Sequence, residues 1–393
     1  MTFKTSRFTT ALVGLGVAGL ALSACGSTSS TSSSGGGALS KLAKGEGQVN
    51  IINWAGYVES GQNDPKVDWV TKFTADTGCK VNSKVGNTSD EMVSLMKAGG
   101  YDVVSASGDA TLRLIAGGDV APINTALIAN YKDVFDSLKM QKWNSSGGKA
   151  YGIPHGRGAN LLMWNTEKVT PAPTSWSAVF DDKSPYKGAI TAYDSPIYIA
   201  DAALYLMNTK PELGIKNPYA LDDKQFTAAV DLLKKQKTVV GEYWSDYLKT
   251  QTAFKTGSTV LGTTWQVIAN GAQGEGTKVD TILPKEGSTG WSDTWMVSSK
   301  AKNPNCAYLW MNYIISPEAN AAVAEYFGEA PSNKLACGKT SDAKFCDTFH
   351  AADEEYFKKV WYWTTPTKAC LDGRGAVCKD YAEWTKAWTE IKG

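Results

Sequence analysis

Histidine is scarce in this chain: 393 residues contain two, His155 and His350. The shortage narrows the chemistry at once. No HExxH or CxxC pair occurs, so the common zinc-binding spacings are missing, and nothing else in the sequence calls for a metal or cofactor. No GxSxG elbow is present, and His155 has no acid–base partner at a plausible spacing. An excess of one charge is also lacking. The formal net charge is +1, so no basic surface is offered to nucleic acid or to an anionic membrane. After the first two dozen residues, no run is apolar and long enough to cross a bilayer.

What is present begins with a leader. Lys4 and Arg7 precede an apolar run from Ala11 to Leu22, too short to span a membrane comfortably, which reads as a signal-peptide core. It ends in Leu22-Ser23-Ala24-Cys25, which resembles a bacterial lipobox, where the cysteine is lipidated and becomes the mature N-terminus. Residues 1–24 are therefore expected to be a lipoprotein signal peptide. Residues 25–45 are expected to hold the lipidated Cys25 and a flexible Ser/Gly linker. The remainder would be an exported globule, lipid-anchored on the outer face of the bacterial cytoplasmic membrane or periplasmic. In that setting the six cysteines left after Cys25 imply disulfides. Cys337/Cys346 and Cys370/Cys378 are local in sequence, leaving Cys79 for Cys306, although sequence alone permits all fifteen pairings.

Strands and helices alternate through the first half. Val49 to Trp54 reads as a buried strand, and Asp64-Pro65 as a helix start ending by Gly78. A strand at Lys80 to Val85 follows, then a helix capped at Thr88-Ser89-Asp90-Glu91 and a third strand from Tyr101 to Ser105. Such alternation means an α/β fold with a parallel sheet, whose ligands gather at the carboxyl ends of the strands. Trp54, Tyr57, Ser107 and Asp109 lie at those ends. The texture changes between Tyr151 and Asn165, read as a crossing into a second lobe. There a strand ends at Asp194, and the strand Thr259 to Thr264 delivers Trp265 to a helix N-terminus.

Trp291-Ser292-Asp293-Thr294-Trp295 is the most informative stretch. As a strand it places Trp291, Asp293 and Trp295 on one face. A carboxylate between two indoles is a costly choice for a core and a sensible one for holding an amine.

Asn53-Trp54-Ala55-Gly56-Tyr57, Tyr101-Asp102-Val103-Val104, Gly152-Ile153-Pro154, Pro284-Lys285-Glu286-Gly287 and Trp291-Ser292-Asp293 occur in collinear order. Together they resemble the polyamine-binding proteins of spermidine/putrescine ABC transporters over roughly residues 48 to 333. The resemblance implies a two-lobed periplasmic-binding-protein fold of type II, each lobe a mixed, mostly parallel sheet flanked by helices. Lobe 1 would be 46–160 plus 292–330, and lobe 2 would be 161–291 plus 331–393. It implies a monomeric receptor that carries a polyamine to permease subunits without turning it over. Trp54, Tyr57, Asp194, Trp265, Trp291 and Asp293 match the family's ligand-binding positions, and Ser107 and Asp109 replace a Ser-Thr-Tyr-like segment. Glu329 stands at an aromatic family position, where an extra carboxylate suits a cation. Arg157 also departs from an aromatic and would repel a polyamine unless paired or turned away. Two alternatives stand beside this reading. One is an exported enzyme using the cleft, an acyltransferase, polymer synthase or hydrolase. The other is the same fold binding an anion or zwitterion through Arg157.

Overall fold

A computed structural model describes residues 38–62 and 64–393; the leader, the lipobox and Cys25 lie outside the described residues. Among these residues, no helix is long and apolar enough to cross a membrane.

Two sheets organise the chain. The larger runs, in spatial order, Ala330–Pro331, Ile153–Ala159, Ser288–Ser298, Val103–Ala106, Gln48–Asn53 and Lys80–Val85. Gln48–Asn53 lies parallel to both of its neighbours, whereas Ser288–Ser298 runs antiparallel to Val103–Ala106 and to Ile153–Ala159. The smaller sheet has the order Val240–Trp244, Ile190–Tyr193, Leu261–Thr264, Leu161–Asn165 and Val279–Ile282. The strands Val103–Ala106, Leu161–Asn165, Ile190–Tyr193 and Leu261–Thr264 are buried on both faces, as sheets covered by helices require. The chain leaves the larger sheet at Asn160, between Ile153–Ala159 and Leu161–Asn165. It returns through Pro284 to Gly287, ahead of Ser288–Ser298.

Local chemistry explains most element boundaries. Thr88 accepts from Glu91 N at the start of helix Ser89–Ala98, and Asp222 forms a full capping box for Asp223–Gln236. The helix expected from Asp64-Pro65 starts later, at Val70. Asp64 spends its carboxylate on the amide of Lys66, closing its own turn, and Asp68 takes the amide of Thr71 instead.

The observed pairing and packing depart from the expected segment bounds in three places. Ser288–Ser298 belongs to the larger sheet along its whole length, pairing from Gly290 with Ala159 to Val297 with Val103. The last sixty residues are shared: Val360–Tyr362 adds to the larger sheet beside Ser288–Gly290. The terminal helix Tyr381–Lys392 instead packs beside the smaller sheet, with Trp384 against Phe226 and Trp388 against Tyr198. Residues 39–45 are not a free linker. Leu39 and Leu42 pack on the core, and Ala43 N donates to Asn305 Oδ1 at 2.7 Å. Disulfides join Cys79 to Cys306, Cys337 to Cys346 and Cys370 to Cys378.

Candidate functional site

Four residues converge between the sheets because each is the first after a strand ends. Trp54 follows Gln48–Asn53, Ser107 follows Val103–Ala106, Trp265 follows Leu261–Thr264 and Trp363 follows Val360–Tyr362. Trp291 and Asp293 reach the same place from the long strand, and Phe327 from the end of helix Pro317–Phe327. These seven line an inner cavity of about 10 Å³. It shares the walls Trp54, Trp265 and Phe327 with an outer pocket of about 430 Å³, lined also by Tyr247, Gln251, Asn270, Glu275 and Tyr326. Neither pocket has a lysine or arginine among its described lining residues.

The aromatic walls hold one another in place. Trp265 meets Trp54 edge-on at 6.2 Å and packs on Tyr193 and Trp244, while Trp363 stacks on Tyr193 at 5.6 Å. The Trp265 indole N–H donates to Asn160 Oδ1 at 3.1 Å, tying this wall to the crossing between the sheets. Gly158 makes room for the next wall, since a Cβ there would stand 2.4 Å from the Trp291 ring.

Among the described residues lining the inner cavity, Asp293 is the one titratable group. It is 3% exposed. Its Oδ1 accepts from Ser107 Oγ at 2.5 Å and its Oδ2 from Tyr57 Oη at 2.7 Å. Burial raises the carboxyl from 3.8 to about 7, against the lowering effect of those two hydrogen bonds. One layer deeper, Tyr57 Oη also lies 3.0 Å from Glu329 Oε2. Burial pushes Glu329 well above the carboxylate range, and the charge of Asp293 adds to the rise. His155 is the extra residue of a bulge opposite Asp293 and Thr294. Burial lowers its imidazole to about 3.

The residues singled out in the sequence divide into two groups. Trp54, Ser107, Trp265, Trp291 and Asp293 line the cavities. Tyr57 and Glu329 line neither and act from behind Asp293. Asp109 is turned inward, held by Ser89 Oγ at 2.8 Å, with its carboxyl raised to about 6 by burial against the pull of Arg113. Asp194 is consumed by the terminal helix, accepting from Trp388 Nε1 at 3.0 Å and from Lys392 Nζ at 2.6 Å. Arg157 faces away from the cavity: it pairs with Glu354 at 2.7 Å and lies over the Phe357 ring, which removes the basis for an anion held by Arg157. Trp363 and Phe327 were missed. Trp363 sits in the terminal stretch that no periodicity placed, and Phe327 reads as an ordinary core residue at a helix end.

The model of the bacterial extracellular solute-binding protein family matches residues 68–344. The chain is 28% identical over 293 residues to the spermidine/putrescine-binding periplasmic protein of Escherichia coli K12, covering 74% of this chain and 78% of that one. It is 25% identical over 359 residues to the putrescine-binding periplasmic protein SpuD of Pseudomonas aeruginosa, covering 88% and 91%. Among solved structures, it resembles a putative spermidine/putrescine ABC transporter protein from Listeria monocytogenes. That match has a TM-score of 0.73 at 21% identity and covers 88% of this chain and 99% of the other.

Proposed function

This chain belongs to the bacterial extracellular solute-binding protein family, and we propose that its solute is an amine of the putrescine or spermidine type. Binding occurs without turnover, and the amine passes to the permease of an ABC transporter. The observation that carries this reading is Asp293, a single buried carboxylate walled by Trp54, Trp265, Trp291, Trp363 and Phe327. A carboxylate supplies the charge-assisted partner an ammonium needs, and indole faces favour both the cation and its methylenes. The outer pocket, at about 430 Å³, falls in the range of small-ligand sites and suits an extended chain. Relatives named for spermidine and putrescine support the same class.

The two ends of the ligand meet different surroundings. Asp293 is buried, whereas Glu275 in the outer pocket is half exposed and already held by Lys255 at 2.7 Å. Affinity therefore rests mainly on the inner end. Isothermal titration with putrescine, spermidine and a set of amino acids tests the assignment. Saturable binding of the amines is expected, and tight binding of acidic or neutral amino acids with none of the amines would overturn it. Anchoring through Cys25 is part of the same proposal, supported by the lipobox pattern. Cys25→Ser should release the protein from membranes in detergent partitioning, and unchanged partitioning would count against the anchor.

A further inference from the structure

Glu329 is 1% exposed, directly behind the amine site, and an ionised carboxylate is expensive in such a place. Counting hydrogens around it leaves little freedom. Trp295 Nε1–H donates to His155 Nδ1 at 3.0 Å, so the neutral imidazole carries its own proton on Nε2. That nitrogen lies 3.3 Å from Glu329 Oε1, directed too poorly for a full hydrogen bond. Tyr57 has one hydroxyl proton and two carboxyl neighbours, Asp293 Oδ2 at 2.7 Å and Glu329 Oε2 at 3.0 Å. If it donates along the shorter contact, its oxygen and an ionised Glu329 would face each other lone pair to lone pair. A proton on Glu329 Oε2 removes the conflict. The chain then runs from Glu329 to Tyr57 to Asp293, with Ser107 donating to the other oxygen of Asp293.

Among the described residues, no cation near the cluster argues for the opposite assignment. Arg157, on the same strand as His155, is committed to Glu354 and to Ala351 O. The further charge acting on Asp293 is Asp109, which raises it. Burial and the charge of Asp293 raise Glu329, which favours the same placement of the proton. The strand opposite also makes space for this arrangement, because a Cβ at Gly156 would lie 2.4 Å from the Glu329 carboxyl carbon.

We propose that Glu329 is a positioning residue held as a neutral acid, donating through Tyr57 to Asp293 and leaving Asp293 as the single anion that meets the ligand. The inner site then carries one negative charge rather than two, matched to one terminal ammonium. The opposite arrangement, with Tyr57 donating to an ionised Glu329 and the proton on Asp293, would leave no charge facing the cavity. A cation at Asp293 disfavours it. This inference rests on the amine reading for its ligand, but the proton on Glu329 can be read without one.

Infrared difference spectra of ligand-free wild type and Glu329→Gln at neutral pH should show a protonated carboxylic acid carbonyl that the variant loses. Putrescine titrations then separate donor from charge. Glutamine keeps an N–H toward Tyr57 and leucine does not, so affinity should fall from wild type through Glu329→Gln to Glu329→Leu, with leucine at least about tenfold below glutamine. Thermal melts identify any variant that has failed to fold. A missing acid band in wild type overturns the proposal, as does an equal loss in the two folded variants, the pattern expected if Glu329 contributed a charge. If wild type binds no amine, the proposed function fails and the infrared result still decides where the proton sits.

Discussion

At the scale of single residues, the proposed amine site gives Asp293 and Trp265 different parts of the recognition, and substitution would separate them. Asp293→Asn keeps the side-chain shape and removes the charge. The fold should persist, while putrescine binding weakens by about 2–4 kcal/mol, because a desolvated ammonium loses its partner. Isothermal titration checks this, and wild-type affinity in the variant would make the strand purely structural. Glu275→Gln should cost at most about 1 kcal/mol, since that carboxylate is solvent-screened and shared with Lys255. Trp265 lines both cavities, so Trp265→Ala acts on stem as well as head. Its cost, about 2 kcal/mol or more, should be larger for spermidine than for putrescine. Equal losses for the two ligands would place the indole at the charged end alone.

At the scale of elements, the long strand Ser288–Ser298 and its neighbour Ile153–Ala159 decide the site's shape. Trp291 can lie flat against the neighbour only because Gly158 has no side chain there. Gly158→Ala should destabilise by about 1–3 kcal/mol, the usual cost of overpacking, and weaken amine binding at the same time. Thermal unfolding and titration of one preparation test both, and a fully stable variant with normal affinity would show that the ring relocates freely. Cys79–Cys306 ties the residue just before the strand Lys80–Val85 to the helix Pro304–Ile314 across 227 residues, whereas the other disulfides close spans of 9 and 8. On the chain-entropy model the long link contributes about 5–6 kcal/mol and each local one about 2–3. Denaturant titration of paired serine variants should reproduce that order.

At the scale of the whole molecule, buried carboxyls link stability and binding to pH in opposite directions. Burial raises Asp293 and Asp201 to about 7 and Asp109 to about 6. Through that window the folded protein binds protons that the unfolded chain has already released. Stability of the ligand-free protein should therefore fall as pH rises from about 4, and less steeply above about 7, where the buried proton of Glu329 still contributes. A cation beside Asp293 favours the ionised form, so amine affinity should rise over the same range and binding should release protons. Calorimetry in buffers of different ionisation enthalpy reads the release directly. Asp201 accepts from Thr289 near the return crossing and lies outside both cavities. Asp201→Asn should flatten the stability slope and leave the affinity slope in place. An affinity independent of pH between 5 and 7 would show that Asp293 is ionised without a ligand.

By itself the sequence determined what depends on neighbours along the chain. Strand–turn–helix punctuation marked where Trp54, Ser107 and Trp265 would stand, because a residue following a strand in a parallel sheet is carried to its carboxyl edge. The period of two put Trp291 and Asp293 on one face before any partner was known. Tertiary structure decided how each carboxylate is used. Asp194 and Asp293 look alike in sequence, each an acid on or beside a strand with aromatics nearby. The terminal helix brings Trp388 and Lys392 onto Asp194, while the hydroxyls of Tyr57 and Ser107 answer Asp293. Trp363 became a wall only because Val360–Tyr362 joins the larger sheet. Glu329 could not be placed behind Asp293 by any local rule. It contacts Tyr57, 272 residues away in the chain, and a glycine on a third strand gives it room. Contacts over such separations are set by how the sheets pack, and local periodicity does not encode them.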